Sequence, residues 1–342
     1  MLDREEDMSD LQSILQENLY FLKRKELLSQ IETKLSEKFG KKIGVAAYIS
    51  NTLMPGMAAV SSMNLTHVAY VDDLIRGTAS QKEIQAVALI IESFGGEATF
   101  PSEIMRRARK YCKEFYVIVV NVAKSAGTLL ALLSDKIIAL ETASFGPVDP
   151  QLVFSTPQGA QTVSARSIKE LMENTIPTYI KGMSPAERAA ILASQNYALY
   201  QQALDGMKLV EEAIDSELSS RIDAKGLDEI KKTLVHVPLS HAINKSIDDL
   251  ERLGFDVCKL APDSEVGKLL IEYHRRALRN LIAEAPHGQG AVLFESTRAS
   301  FQISVQVVQQ AAPSPRPSPP QQPQSRPLPP PEQQPQGQPV KG

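Results

Sequence analysis

Four short aliphatic runs constrain the fold of this chain more than any other feature: 44–50 (GVAAYIS), 86–93 (AVALIIES), 115–122 (FYVIVVNV) and 136–140 (KIIAL). They are apolar at successive positions, not alternate ones, and stretches with helical spacing separate them at 66–76, 101–112 and 126–133. A strand apolar on both sides must be covered on both sides, as happens when helices flank a parallel sheet. The expected centre of the molecule is therefore α/β, a mostly parallel sheet covered by helices.

What flanks this centre differs in kind. Residues 9–39 carry apolar side chains at helical spacing, among them Leu11, Ile14, Leu15, Leu19, Leu22, Leu27, Ile31 and Leu35, which predicts a long amphipathic N-terminal helix ending near Gly40. Helical patterning returns from 164 to 222, where Ser184, Pro185 and Glu187 form a helix-start signal, and again over 245–254. More than half of the 22 prolines fall in 311–342, among Gln and Ser. That composition predicts a disordered, solvated tail whose P-x-x-P steps could recruit a partner. The expected organisation is a helix over 1–40, a main domain over 41–260, a helical and strand extension over 261–310, and the tail.

The balance of 37 Lys plus Arg against 40 Asp plus Glu, with a net charge of -3, argues against nucleic acid as a partner. Cys112 and Cys258 fit neither a zinc site nor a disulfide framework, so a reducing, cytoplasmic location is expected. No run approaches the roughly 18 apolar residues of a membrane span. No His-Glu-x-x-His, Cys-x-x-Cys or phosphate-loop motif occurs, so neither a metal nor a cofactor is expected.

Two turns can carry chemistry. The strand 86–93 runs into Phe94-Gly95-Gly96, where two glycines allow close backbone approach and leave N–H groups for an oxyanion. The strand 115–122 runs through Lys124 and Ser125 into Ala126-Gly127-Thr128, a small-residue helix start. A serine at such a bend either caps the helix or presents its hydroxyl beside the free N–H groups of the helix end. Asp135, at a helix-to-strand junction, and Asp149, in a Pro-bounded turn, read as local structural carboxylates.

The order IIESFGGEATFPSEIMRRAR, VNVAKSAGTLLALLSDKIIAL, FGPVDPQL resembles the Clp-fold serine peptidases over about 40–255. It is most similar to the serine dehydrogenase proteinase family, with signal peptide peptidase A and the Clp protease proteolytic subunit as more distant relatives. The resemblance implies a Clp/crotonase-like fold, Ser125 as nucleophile, and an oxyanion hole from the N–H groups of Gly95 or Gly96 and of Ala126. Relatives usually have a proline before the glycine pair, where this chain has Phe94. It also implies a peptide or unfolded-protein substrate and assembly into a homo-oligomer.

The activating base stays open. No histidine lies between His67 and His236, so a histidine triad would need a distant ring, His236 or His241. His67, His274 and His287 carry no motif. Lysine chemistry of the signal peptide peptidase A type fits the gap, with Lys181 first, Lys169 second and Lys124 third, since side chains adjacent on an extended segment point apart. Two other functions compete: a non-catalytic oligomer or scaffold that recruits partners through its tail, and a crotonase-like acyl-CoA enzyme that would not need Ser125.

Overall fold

The structure, a computed structural model, describes residues 2–54, 58–156, 159–236, 244–283 and 289–305. The proline-rich stretch 311–342, His241 and His287 lie outside the described residues. The chain begins with α1 (Leu2–Phe39), β1 (Ile43–Ser50), α2 (Ala58–Ser61), α3 (Leu65–Ala79), β2 (Ala86–Ser93), α4 (Thr99–Tyr111) and β3 (Glu114–Ala123). It continues through α5 (Ala126–Leu133), β4 (Lys136–Leu140), β5 (Ser144–Phe145) and a hairpin of β6 (Gln151–Thr156) and β7 (Gly159–Ser164).

A helical stretch follows: α6 (Ala165–Glu170), a π turn (Leu171–Thr175), α7 (Ile176–Tyr179), α8 (Pro185–Ala193), α9 (Tyr197–Leu218) and α10 (Ala224–Ile230). The expected start signal at Ser184 is a reciprocal capping box with Glu187. The chain then passes α11 (Ile247–Arg252), β8 (Val257–Leu260), α12 (Glu265–Ala283) and the strands β9 (Gln289–Ser296) and β10 (Ser300–Val305).

The main sheet runs β10-β9-β1-β2-β3-β4-β8, with β5 beside the end of β3. From β1 to β8 neighbouring strands are parallel, while β9 joins β1 and β10 joins β9 antiparallel. Each long aliphatic run is a central strand, and its alternate residues feed two separate cores. Tyr48, Leu89, Ile91, Val117 and Val119 face one core with α3, α4, α5 and α9. Val45, Ala47, Ala88, Ile90 and Ile118 face the other with α1 and α12. This explains the continuous apolar runs, since no strand face is left for water. The residues expected as an extension contribute α12 to one face of this sheet and β9 and β10 to its edge.

α1 covers the second core with Leu28, Ile31 and Leu35, all fully buried at helical spacing. A buried ion pair fixes the helix in rotation. The Arg24 guanidinium donates to both oxygens of Glu295 on β9, at 2.9 to 3.1 Å, and to Asn280 Oδ1 at 2.7 Å, while the Tyr273 hydroxyl donates to Glu295 at 3.0 Å. Burial and the adjacent carboxylate push the Tyr273 hydroxyl well above its ordinary pKa, so it remains a donor. Removing Arg24 would leave Glu295 charged and fully buried without its counter-ion. We expect Arg24→Ala to lower stability by about 3–5 kcal/mol, measured by urea unfolding at pH 7.

Candidate active site

The C-terminal ends of the parallel strands place two loops in contact. β3 ends at Ala123, and the chain turns sharply at Ser125 before α5, with φ 47° and ψ -114°. This backbone conformation is unfavourable for a residue with a side chain and must be held from outside, at a cost of order 1–3 kcal/mol. Four hydrogen bonds hold the turn. The Lys124 N–H donates to the Ser93 carbonyl at 2.9 Å and the Gly127 N–H to the Lys124 carbonyl at 2.8 Å. Thr128 Oγ1 donates to the Ala123 carbonyl at 2.7 Å and accepts from the Gly146 N–H at 3.1 Å.

The hydroxyl of Ser125 does not cap α5. Among the described residues no hydrogen bond to it is formed, although Ser125 is only 6% exposed. Of the two readings open to a serine at this bend, capping is therefore excluded, and the hydroxyl stays uncommitted. Local strain with a free hydroxyl is the geometry of a nucleophile elbow.

Opposite it stands the glycine pair. Gly95 has φ +110°, and a Cβ there would lie 2.7 Å from Ser125 Cβ, 2.9 Å from the Lys124 carbonyl and 3.4 Å from the Ala126 nitrogen. Only glycine fits, because any side chain would push the serine turn away. The Gly95 N–H is taken, donating to Ser93 Oγ at 3.0 Å. Gly96 lies against Met63 in a parallel bridge in which the Met63 N–H donates to the Gly95 carbonyl at 2.9 Å and the Glu97 N–H to the Met63 carbonyl at 2.8 Å. A bridge of that form turns the peptide N–H of Gly96 away from Met63, and among the described residues it has no acceptor. The Ala126 N–H, at the first position of α5, is likewise outside the helical bonding pattern. Of the two glycines, then, Gly96 offers the free donor, and both exclude a side chain, since a Cβ on Gly96 would lie 2.0 Å from the Met63 carbonyl oxygen.

The lysines are placed differently from one another. Lys181 sits exposed in a 3₁₀ turn (Ile180–Gly182) whose backbone carbonyl accepts from Arg188. Lys169 is half-buried in α6, on the helical stripe shared with Ala165, Ile168, Met172 and Ile176, of which Ala165, Ile168 and Ile176 are buried and Met172 packs on the core. Asp149 holds the start of that helix, accepting from the Arg166 N–H at 3.3 Å. The Lys124 side chain passes Gly146, where a Cβ would lie 2.6 Å from Lys124 Cδ, and its amine donates to Asn244 Oδ1. Burial lowers the pKa of Lys124 below the usual lysine value. None of these amines is bonded to Ser125.

The other candidates have structural employment. Asp135 binds Arg109 and accepts from the Phe115 N–H at 2.8 Å. His236 is paired with Glu211 at 3.2 Å. His67 accepts from the Asn64 amide at Nε2 (3.2 Å), because Asn64 Oδ1 is committed to capping α3, so Nδ1 carries the proton shared with the Tyr48 hydroxyl at 3.0 Å. Three participants escaped the sequence reading: Ser93, Met63 and Asn244. Met63 and Asn244 act through long-range contacts that no motif marks, whereas Ser93 Oγ bonds the Gly95 N–H only two residues on, a short serine turn. Among the described residues no group of three His, Cys, Asp or Glu side chains is placed to hold a metal, and no helix is long and apolar enough to cross a membrane.

A strained strand-to-helix serine faced by a glycine pair, on a mostly parallel sheet covered by helices, is a Clp/crotonase-like arrangement. The profile of the ClpP-like SDH-type serine proteinases matches residues 11–282, and the chain belongs to that family. Two uncharacterised proteins of Methanocaldococcus jannaschii are similar to it. One is 26% identical over 208 residues, covering 61% of this chain and 65% of the relative. The other is 27% identical over 186 residues, covering 54% and 56%. The chain thus spans less than two thirds of the length of these relatives. Among solved structures, a mutant of the membrane-bound stomatin-specific protease 1510-N is weakly similar, with 15% identity, a TM-score of 0.39 and coverage of 73% of this chain and 86% of that one. An enoyl-CoA isomerase from M. smegmatis is similar at 15% identity and a TM-score of 0.34, covering 68% and 80%.

The buried ring of His67 also gives the site's surroundings a pH dependence. Burial lowers its pKa from 6.5 to about 4, so the unfolded chain takes up this proton before the folded one does. Stability from this group is complete above pH 6.5 and is lost as pH falls toward 4. At roughly 1.4 kcal/mol per pH unit the loss is on the order of 3 kcal/mol. Urea unfolding at pH 7.0 and 4.5 should show this slope in the wild type and a flatter one in His67→Gln.

Proposed function

We propose that this chain is a serine peptidase that cleaves peptide bonds through an acyl-enzyme on Ser125. The observation that carries this reading is the uncommitted Ser125 hydroxyl on a strained turn in contact with Gly95. In the proposed reaction Ser125 Oγ attacks the scissile carbonyl carbon and its proton passes to a neutral lysine amine. The carbonyl oxygen becomes an oxyanion, for which the N–H groups of Gly96 and Ala126 are the donors. Collapse of the intermediate breaks the C–N bond, the lysine ammonium returns the proton to the leaving amine, and water then hydrolyses the ester.

Among the lysines, Lys169 is favoured as the base. It is half-buried, on the same helical stripe as the buried Ala165, Ile168 and Ile176. Lys181 is exposed. Lys124 is desolvated, but its amine is bonded to Asn244. A peptide or unfolded protein is the proposed substrate, a homo-oligomer the proposed assembly and the cytoplasm the proposed location, in keeping with the two unpaired cysteines.

The test is reaction with a fluorophosphonate probe from pH 6 to 9, with the labelled peptide mapped by mass spectrometry, alongside turnover of unfolded casein. Labelling should map to Ser125, increase with pH and vanish in Ser125→Ala. Lys169→Ala should lower turnover about 10²–10⁴-fold, the range for loss of a general base, whereas Lys181→Ala should stay near the wild type. Gly95→Ala should abolish labelling by displacing the turn. Full acyl-CoA turnover by Ser125→Ala would favour the crotonase-type reading, and absence of labelling and turnover alike would favour the scaffold.

A further inference from the structure

β2 and β3 fall out of step just before the serine turn. From Ile91 to Ser93 β2 advances two residues, while its partner advances four, from Val119 to Ala123. Val120, Asn121 and Val122 therefore stand against Glu92 alone, leaving a bulge in the strand that delivers Ser125. A bulge leaves backbone groups outside the ladder, and something else must bond them.

That group is the Glu92 side chain, which is fully buried. Its Oε2 accepts from the Val122 N–H at 3.0 Å, and its Oε1 accepts from Asn121 Nδ2 at 2.8 Å and from Thr52 Oγ1, in the loop after β1, at 2.9 Å. From α12 on the same face, His274 Nε2 approaches Oε2 at 3.2 Å, with no aligned hydrogen bond. Glu92 thus joins the loop after β1, the bulge of β3 and α12 at one carboxylate, three residues before Ser125.

We propose that Glu92 is a positioning residue for the Ser125 turn, its carboxylate fixing the β3 bulge so that the strained serine arrives against Gly95. The role rests on the peptidase reading for its catalytic consequence, but not for its structural one. An amide keeps this set only in part: with its oxygen on the Val122 N–H, its NH2 lies against Asn121 and Thr52, which must both turn round to accept, and with its oxygen on those two, its NH2 opposes the Val122 N–H.

Glu295 supplies a matched control, because it is another fully buried carboxylate on the main sheet whose partners, Arg24 and Tyr273, lie on helices and not on the serine turn. Glu92→Gln, Thr52→Val and Glu295→Gln in the full chain are compared by amide hydrogen exchange with mass spectrometry, by the rate of fluorophosphonate labelling, and by KM against kcat on a fluorogenic peptide. Glu92→Gln should speed exchange over 119–127 at least tenfold and slow labelling and kcat at least tenfold, with KM within twofold. Thr52→Val should give the same pattern at about threefold, and it serves alone if Glu92→Gln fails to fold. Glu295→Gln should lower the melting temperature without either change. Wild-type exchange over 119–127 in the Glu92 and Thr52 variants overturns the proposal, as does an equal effect from Glu295→Gln. If the wild type itself neither labels nor turns over, the peptidase reading falls, and the exchange result alone decides the positioning role.

Discussion

The contact between Gly95 and the backbone around Ser125 is the constraint on which the site depends. Two loops from adjacent parallel strands meet with no room for a Cβ between them. That distance can be kept only if both strand ends are rigid, and both are central strands with cores on each face. The strain at Ser125 is thus borne by the sheet beneath it, through the bonds from Ser93, Thr128 and Gly146.

The same arrangement separates two tasks that a glycine pair might seem to share. Ser93 Oγ takes the Gly95 N–H, and the Met63 bridge orients Gly96 with its N–H turned outward. Gly96 alone has the free donor, while both positions are closed to a side chain, Gly95 by the serine turn and Gly96 by the Met63 backbone, so a substitution displaces a different neighbour at each. Phe94 is half exposed beside them.

Much of this was legible in the sequence because burial on both faces writes itself as continuous aliphatic runs. The runs at 86–93 and 136–140 match β2 and β4, and those at 44–50 and 115–122 miss the ends of β1 and β3 by a single residue. The Gly pair and Ser125 were found by their order after two such strands. Less visible was β9, whose apolar run is short and whose pairing with β1 joins residues more than 240 positions apart. The hairpin of β6 and β7 also went unread within a segment that reads as loop and helix. At the site, the outward Gly96 N–H depends on the bridge to Met63, which no local pattern encodes, whereas the Ser93 bond to Gly95 spans only two residues. Nor could periodicity alone separate Lys169 from Lys181, since the inward stripe of α6 continues through a π turn that alters the helical spacing.

The antiparallel pairing of β9 with β1 has a bearing on how the chain reaches this fold. β1 is made more than 240 residues before β9, yet one of its two edges is filled only by residues 292–296. Until they arrive, an aliphatic strand presents open hydrogen-bonding groups along its whole length, the kind of edge to which other chains add. The fully buried Arg24 and Glu295 pair likewise joins the first helix to this late strand. Closure of the sheet is therefore a long-range event, and the nascent protein carries an open-edge aggregation hazard over the interval between the two strands.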